Sequence, residues 1–365
     1  MTVQPATRDF ARSEKSRAAR SHDVTWHYPA SIDTPVAVLL DGGNRLMLSG
    51  SAGEFLATAQ LQHDGPDGAG LSDVKIDPAR PDGAHLLAAL IDAIFIRLPD
   101  VNRILLPAAK ALPPVAALAT GRVQAPGTGQ EAAIVERAVF RQLPLLWREQ
   151  KSHTAYPCLR SSIGPEDRLP PLRPPLPSGV MYRRWVPEIE LTVTLRPIDR
   201  RTDLSLFHGW MNQGRVAHFW ELAKSEAELD NYLAEQEADP HLFGVIASFD
   251  GDPAGYFEFY WAKEDRLGPY YEPEDFDRGW HGLVGNSRHL GRPKTRALFS
   301  SVTHYLFLDE PRTLRIVGEP RASHQKMLSY TTELAYVKVK EFDFPHKRAA
   351  LVCCERGRFF REVAP

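Results

Sequence analysis

Hydrophobic and polar residues in the first half of the chain follow both strand and helix periodicities. Two apolar runs flank the Asp-Gly-Gly-Asn segment at residues 41–44, which predicts a hairpin because these residues tolerate positive backbone angles. Apolar positions at helical spacing predict a helix over residues 82–98, and residues 101–106 predict a short strand ended by Pro107. A weaker helical pattern covers residues 131–147. The first half therefore predicts a small α/β unit.

The second half has a more regular pattern, in the order β-α-α-β-β-β-α-β-α-β-β. Residues 190–198 alternate as a strand, a helix follows with Asp203 as its N-cap, and Ser225 opens a second helix with a capping-box spacing to Glu228. Two strands flank a turn at residues 250–252. The remaining pattern predicts strands over 279–285, 314–320, 335–342 and 347–355, and helices over 295–307 and 323–334.

Proline is unusual in both its frequency and its position. The chain has 30 prolines among 365 residues, and five of them lie between residues 170 and 177. Proline restricts the backbone and lacks an amide donor, which excludes a helix or a central strand there. We interpret residues 168–180 as a linker between an N-terminal α/β accessory domain (31–167) and a second domain (181–365), with a flexible leader over residues 1–30. A surface loop within one domain is the alternative.

Charge and cysteine content argue against several classes of protein. The 44 Lys+Arg and 46 Asp+Glu residues give a formal net charge of −2 without a basic stripe, so nucleic acid and anionic membranes are not expected partners. The three cysteines, Cys158, Cys353 and Cys354, do not suggest a disulfide framework, and no apolar run has the length of a membrane span. We therefore expect a cytoplasmic protein.

Six strings in the second half resemble one enzyme family. They are YRRWVPEIE from Tyr182, RTDLSLFHGWMNQGRVAHFWE from Arg201, GYFEFYWAKEDRLGPYY from Gly255, DRGWHGLVG from Asp277, HYLFLDEPRTLRIVGEPRASHQK from His304 and KRAALV from Lys347. This pattern is similar to that of siderophore-biosynthesis acyltransferases of the GNAT superfamily, the aerobactin-type N-hydroxylysine acetyltransferases and their hydroxamate-forming relatives. The resemblance covers roughly residues 182–352. It implies an α/β (α+β) GNAT acyltransferase fold, a mixed twisted sheet flanked by helices.

The resemblance also implies two catalytic residues. His281 lies on a predicted strand where the family has its catalytic histidine, and it is expected to act as a base or as a hydrogen-bond partner. Glu319, at the end of the next strand, matches the family's acidic partner, and a carboxylate there would orient the imidazole. Taken without the family, a single strand histidine is more often structural, and Glu319 could be a charge at a helix start.

The coenzyme side is expected at the predicted loop and helix start that follow this strand. The resemblance places the pantetheine along Leu283 and Val284 and the phosphates at a helix start, where backbone amides and basic side chains would bind them. The candidates there are Arg288, Gly291, Arg292, Lys294 and Thr295, with His324 as a further candidate at the next helix. The loop departs from the superfamily pattern, because it holds a single central glycine and Pro293 cannot donate an amide.

The acceptor pocket is expected around a second family-like cluster. Its candidates are His218, Trp220, Tyr260, Trp261 and Asp265. Aromatic walls with a few polar groups suit an aliphatic stem with charged ends. A core role for an aromatic on a strand, and a surface role for an acid, are the alternatives.

Together these features predict an enzyme that uses acetyl-CoA or succinyl-CoA, without a metal, to acylate N-hydroxylated lysine, ornithine or a short diamine. The product would be a hydroxamate for a siderophore, with an amine N-hydroxylase and a siderophore synthetase as pathway neighbours. A GNAT enzyme acting on an ordinary amine and an inactive GNAT-fold binding protein are the alternatives. The first half is expected to be a lid, a dimerisation unit or a degenerate second GNAT-like copy, and a homodimer is left open.

Overall fold

The computed structural model describes residues 24–26, 36–40, 44–50, 52–63, 67–107, 113–124, 129, 131–148 and 171–363. Most of the expected leader, Cys158, and the expected linker before residue 171 lie outside the described residues. Within the leader, residues 24–26 form a strand that pairs with residues 36–38, so this part of it is a sheet edge.

Among the described residues, the first half forms an eight-stranded sheet with three helices. The elements are β1 (Val24–Trp26), β2 (Val36–Leu40), β3 (Arg45–Ser49), β4 (Phe55–His63), β5 (Gly68–Ile76), α1 (Gly83–Arg97), β6 (Arg103–Pro107), α2 (Pro113–Leu118), β7 (Gly121–Gln124), β8 (Glu131–Glu136) and α3 (Arg137–Phe140). The strand order is β1-β2-β3-β4-β5-β6-β8-β7, and only β5 and β6 pair in parallel. The predicted hairpin, the helix α1 and the strand β6 are confirmed.

The second half forms another eight-stranded sheet, with six helices in the described residues. The elements are β9 (Tyr182–Val186), β10 (Leu191–Pro197), α4 (Arg200–Met211), α5 (Gly214–Trp220), α6 (Glu226–Ala238), β11 (Leu242–Phe249), β12 (Asp252–Trp261), β13 (Arg278–Val284), α7 (Arg292–Asp309), β14 (Arg315–Gly318), α8 (Gln325–Glu333), β15 (Val337–Asp343), β16 (Arg348–Glu355) and α9 (Arg356–Glu362). The strand order is β15-β16-β14-β13-β12-β11-β10-β9, with β13 and β14 as the parallel pair.

Two sequence-based predictions need correction, and three elements of the second half were not predicted. The helix predicted over residues 131–147 is wrong for its first part, which forms the strand β8. This strand pairs with both β6 and β7, and sheet pairing outweighs a weak helical pattern. The N-cap of α4 is Asp199, whose carboxylate accepts the Arg201 amide at 3.0 Å, whereas Asp203 lies in the first turn. The strand β9 and the helices α5 and α9 were not predicted. The capping box of α6, between Ser225 and Glu228, is confirmed.

The two sheets have the same strand order, position by position, from β1 and β9 at one edge to β7 and β15 at the other. In each half the two parallel strands are connected by a helix that packs against the sheet, α1 between β5 and β6 in the first half and α7 between β13 and β14 in the second. The halves differ after their second strand: residues 41–44 alone connect β2 to β3, whereas α4, α5 and α6 lie between β10 and β11. The first half is therefore a GNAT-like unit that lacks these three helices.

The halves share a hydrophobic core and a buried polar junction. A carbonyl can only accept, so His304 donates its Nε2 proton to the Arg141 carbonyl at 2.7 Å and accepts the Tyr182 hydroxyl at Nδ1, 3.0 Å away. Burial, and then the charge of Arg184, hold the pKa of His304 well below its ordinary value. Arg148 pairs with Asp309 on α7 at 3.1 Å. No helix in the described ranges is long and apolar enough to cross a membrane.

Candidate functional site

The centre of the second sheet opens where its parallel strands diverge. The strands β13 and β14 pair at only two positions, Arg278 with Ile316 and Gly279 with Val317. His281 lies just beyond this pairing on β13, and Glu319 directly follows β14. The structure therefore brings together the two residues that were predicted from the sequence to be catalytic, at the point where β13 and β14 separate.

Both ring nitrogens of His281 face carboxylates. Its Nδ1 lies 3.1 Å from Glu258 Oε2, and its Nε2 lies 3.0 Å from Glu319 Oε1. An ionised carboxylate only accepts hydrogen bonds, so two of them require a proton on each ring nitrogen. His281 is therefore an imidazolium in this arrangement. Of the two roles expected for it, base or hydrogen-bond partner, the geometry favours the second.

The electrostatics of the three groups agree with this assignment. Burial by itself lowers the pKa of His281, but the charge of Glu319 and the hydrogen bonds to both carboxylates outweigh it and raise the pKa to about 10. Burial raises the pKa of Glu319, yet His281, Lys347 and Arg266 hold it well below its ordinary value. The pKa of Glu258 is also lowered, since the bond from His281 outweighs burial. Both carboxylates are thus ionised around a cation.

Glu319 is held by a shell of donors on several elements. It is 3% exposed, and its Oε2 accepts the hydroxyl of Tyr260 at 3.1 Å. Its Oε1 accepts Arg266 at 3.1 Å and Lys347 at 3.4 Å, in addition to His281. Sequence reasoning missed Arg266 and Lys347, although both lie in strings that carried the family resemblance.

Glu258 is the other carboxylate that sequence reasoning missed. It lies directly opposite His281 in the pairing of β12 with β13. Its Oε1 accepts the hydroxyl of Tyr232, the amide of Gln236 at 3.0 Å and the hydroxyl of Tyr256 at 3.2 Å. The available signal was a single acid in the aromatic run Tyr-Phe-Glu-Phe-Tyr-Trp, because a buried acid in such a run requires partners.

Two of the expected acceptor residues, Trp220 and Tyr260, contact His281, and a third, His218, lies on the same helix as Trp220. The ring of Trp220 meets His281 edge-on, with the ring centres 6.4 Å apart. His218 contacts the ring of Phe219, which stacks on His324 at 4.4 Å. Tyr260 is buried behind the site, where it donates to Glu319 and packs 4.8 Å from the His281 ring. Tyr260 therefore supports the site from behind its surface.

Two other acceptor candidates do not lie where the sequence suggested. Trp261 is buried, with its ring between the guanidinium groups of Arg173 and Arg278 at 4.2 and 4.0 Å. Successive side chains of a strand alternate between faces, so Trp261 points away from the face that carries Glu258 and Tyr260. Asp265 accepts the Leu267 amide at 3.0 Å and lies 3.6 Å from His241. Both contacts occupy the Asp265 carboxylate, which therefore has a local structural role.

The coenzyme candidates surround the start of α7. Gly291 is its N-cap with φ +129°, a conformation that favours glycine, and a Cβ there would meet no atom within 4 Å. Thr295 is buried and donates its amide to the Gly291 carbonyl. The basic side chains already have partners: Arg288 binds Asp252 at 2.9 Å, Arg292 binds Glu333, and Lys294 binds the Arg288 carbonyl at 3.2 Å.

The open glycine cap and these cations fit an anionic phosphate group at the helix start. On β13, the Leu283 side chain is buried in the cluster that includes Phe207 and Trp210. The Val284 carbonyl accepts Arg215. His324 instead serves as the N-cap of α8, accepting the Met327 amide at 3.3 Å.

Comparison with known proteins agrees with this architecture. Residues 199–344 match the model of the acetyltransferase (GNAT) domain. The chain is 38% identical over 278 residues to the N(6)-hydroxylysine O-acetyltransferase of Escherichia coli, covering 76% of this chain and 85% of that protein.

Two fungal enzymes each match a little over half of the chain. The N(5)-hydroxyornithine:cis-anhydromevalonyl coenzyme A-N(5)-transacylase of Beauveria bassiana is 43% identical over 201 residues, covering 54% of this chain and 44% of that protein. The hydroxyornithine transacylase of Ajellomyces capsulatus is 42% identical over 197 residues, covering 53% and 45%. The chain therefore spans less than half of each fungal relative. With the identity and coverage of the bacterial match, these findings show that the chain is an acyltransferase of the GNAT superfamily and belongs to its siderophore-biosynthesis branch.

Proposed function

We propose that this enzyme transfers an acyl group from acyl-CoA to the hydroxylated nitrogen of N-hydroxylysine, N-hydroxyornithine or a short N-hydroxydiamine, forming a hydroxamate. The names of its relatives support this substrate class. The observation that carries the proposal is the pair of carboxylates on His281, Glu258 at 3.1 Å and Glu319 at 3.0 Å, which leaves neither ring nitrogen free to accept a proton.

This arrangement suits a nucleophile that is already neutral. An alkyl ammonium such as lysine has a pKa of about 10.4 and must lose a proton before it can attack. A hydroxylamine nitrogen is far less basic, because the attached oxygen withdraws electron density, so it is unprotonated near neutral pH. A site whose histidine is held as a cation therefore favours the hydroxylamine over the ordinary amine.

The transfer itself follows from this assignment. The nitrogen attacks the thioester carbonyl, a C–N bond forms, and the C–S bond breaks as the coenzyme sulfur leaves. The nitrogen becomes strongly acidic once it is bonded to the carbonyl carbon, so its proton passes to the departing thiolate without a strong base. His281 donates hydrogen bonds in the site, and a backbone amide near Leu283 polarises the carbonyl.

Coenzyme binding is assigned to the strand edge and helix start described above. The pantetheine would follow Leu283 and Val284, and the phosphates would meet the start of α7. Arg288, Arg292 and Lys294 would exchange their present partners for phosphate oxygens, with Gly291 and Thr295 at the helix start. Either acetyl-CoA or succinyl-CoA fits this assignment.

The acceptor side is assigned to Trp220, whose ring meets His281, and to His218 on the same helix α5. We place the reaction in the cytoplasm. An amine N-hydroxylase would supply the substrate, and a siderophore synthetase would consume the hydroxamate. A homodimer is compatible with this scheme and is tested by sedimentation.

An acyl-transfer assay tests the proposed function. Acetyl-CoA and succinyl-CoA are each incubated with N-hydroxylysine, N-hydroxyornithine and N-hydroxycadaverine, and with the three parent amines, and the hydroxamate is detected by its coloured ferric complex. We expect turnover of at least one hydroxylamine, with kcat lowered about a hundredfold or more in His281→Ala and Glu319→Gln. His85→Ala, in the first half, is the control. Turnover of the parent amines alone would refute the proposal. Failure to bind CoA in a calorimetric titration would instead support the alternative of an inactive GNAT-fold binding protein.

A further inference from the structure

We propose that Glu258 is a positioning residue of this enzyme: together with Glu319 it holds the His281 ring from both sides, so that each ring nitrogen donates a hydrogen bond. The inference rests on the proposed role of His281 in acyl transfer. It assigns a function to a residue on β12 that carried no expectation from the sequence.

The two oxygens of Glu258 have separate tasks. Its Oε1 accepts Tyr232 and Gln236 on α6, and it shares the single hydroxyl proton of Tyr256 with Gln236 Oε1. Its Oε2 has His281 Nδ1 as its hydrogen-bond partner. These bonds on one oxygen set the plane of the carboxylate, and this directs the other oxygen at the ring.

The burial of Glu258 indicates that its role is specific. The side chain lies among aromatic residues and Glu258 is only 6% exposed. A buried ion pair is weak evidence for stability, since apolar residues of similar volume often stabilise a core as well or better. A carboxylate held at this position by donors on α6 and β12 is therefore better explained by the orientation it gives to its neighbour.

Glu319 cannot provide that orientation by itself. It shares one oxygen among His281, Arg266 and Lys347, so it supplies charge but a less exclusive contact. Without Glu258, the Nδ1 of His281 would lose its acceptor, and the ring could rotate about its Cβ–Cγ bond. A carboxylate on each side fixes the ring and keeps Nε2 directed at Glu319.

Other groups also surround His281 and influence its protonation. Arg266 lies 3.5 Å from Nε2, the Tyr260 ring is 4.8 Å from the imidazole, and the Trp220 ring is 6.4 Å away. Lys347 acts through Glu319, and Tyr232 and Tyr256 act through Glu258. None of these groups accepts a hydrogen bond from Nδ1 in the structure, which leaves that task to Glu258.

The test compares Glu258→Gln with Tyr232→Phe in the full chain. Glu258→Gln keeps the size of the side chain and removes its charge, whereas Tyr232→Phe removes one of the bonds that hold it. Glu310→Gln is the matched control, because Glu310 is also buried at 3% exposure but pairs with Arg312 at 2.7 Å outside the site. For each variant we measure kcat, KM for acyl-CoA, the pH profile, the melting temperature and the NMR titration of the His281 ring protons.

We expect Glu258→Gln to lower kcat at least about tenfold, to leave KM for acyl-CoA within about twofold, and to move the His281 ring titration to lower pH. Tyr232→Phe should shift both readings in the same direction by less, and it remains informative if Glu258→Gln does not fold. Glu310→Gln should retain kcat and the ring titration.

The proposal is overturned if the His281 titration is unchanged in both site variants. It is also overturned if kcat in the two site variants falls only in step with the melting temperature, or if Glu310→Gln lowers kcat as much as Glu258→Gln does. Because the ring titration needs no substrate, this failure is distinguishable from a failure of the proposed function, in which wild-type protein shows the expected titration but acylates no hydroxylamine.

Discussion

The two halves of the chain have the same strand order, but they place different groups where their parallel strands diverge. In the second half this position holds His281 between two buried carboxylates. In the first half, β5 reads Gly-Ala-Gly-Leu-Ser-Asp-Val-Lys-Ile and contains no histidine. The scaffold alone therefore does not make a site, and the chemistry depends on what a few strand positions carry.

The start of the helix that connects the two parallel strands differs in charge between the halves. The second half offers Arg288, Arg292 and Lys294 around the start of α7. In the first half, Asp82 precedes α1 and pairs with Arg80 at 2.8 Å. A Cβ on Gly83 would lie 3.1 Å from Pro114, so α2 packs closely on the start of α1. This acidic, covered helix start is unsuited to a phosphate.

The inserted helices of the second half make a further difference. Trp220 on α5 meets the His281 ring, and Tyr232 and Gln236 on α6 hold Glu258. The first half has the short connection over residues 41–44 at the same point. The first half instead carries residues that contact the second half. Arg148 pairs with Asp309, and the Arg141 carbonyl accepts His304. The comparison indicates a structural role for the first half and a catalytic role for the second.

The largest expected effect comes from removing the first half. A chain that starts at Ser178 would expose the face of α7 and β9 against which the first half packs, including His304 and Tyr182. We expect this fragment to aggregate or to lack a cooperative unfolding transition, measured by sedimentation and thermal melting. A soluble, active fragment would show that the second half folds independently, as the sequence-based domain boundaries suggest.

The next effect tests the polar junction between the halves. Arg148→Ala removes a partner of Asp309 from a site where the two side chains are only 5% and 10% exposed, and we expect a loss of about 3 kcal/mol in the free energy of unfolding. Arg122→Ala breaks an exposed pair with Glu131 in the first half and should cost less than about 1 kcal/mol. Equal losses in urea unfolding would contradict a special role for the junction.

The positive charge of His281 predicts that the free energy of unfolding decreases at alkaline pH, an effect that has no counterpart in the first half. Its pKa is raised from about 6.5 to about 10, so its contribution to stability is complete below the unfolded value and is lost as the pH rises towards 10. The loss should approach about 1.4 kcal/mol per pH unit within that window. His281→Asn should flatten the difference between unfolding curves recorded at pH 7 and pH 9. An unchanged difference would contradict the imidazolium assignment.

The smallest expected effect concerns the coenzyme. Arg292→Ala and Lys294→Ala should each raise KM for acyl-CoA about threefold to tenfold with little change in kcat, because each removes one charged contact to phosphate. The counterpart in the first half, Arg80→Ala, should leave KM unchanged. A response to Arg80→Ala in steady-state kinetics would show that the first half contributes to coenzyme binding.

Local pattern predicted much of the fold. The helical spacing that became α1, the capping box at Ser225 and the alternation in β10 all depend on residues close together in the chain. The strand over residues 131–136 was missed, because its pairing with β6 joins residues about 30 positions apart. Short strands with long-range partners carry a weak local signal.

The candidate site, like the fold, was predicted only in part from the sequence. The amino-acid sequence by itself determined the branch of the acyltransferases, through strings that include His281 and Glu319, and located the basic helix start at Arg292 and Lys294. Only the tertiary structure decided that Trp261 lies on the other face of β12 and that Glu258 contacts His281. Which side chain faces another across a sheet depends on strand register, and a shift of one residue would reverse every face. The protonation of His281 also follows from three elements meeting in space, which no single stretch of sequence contains.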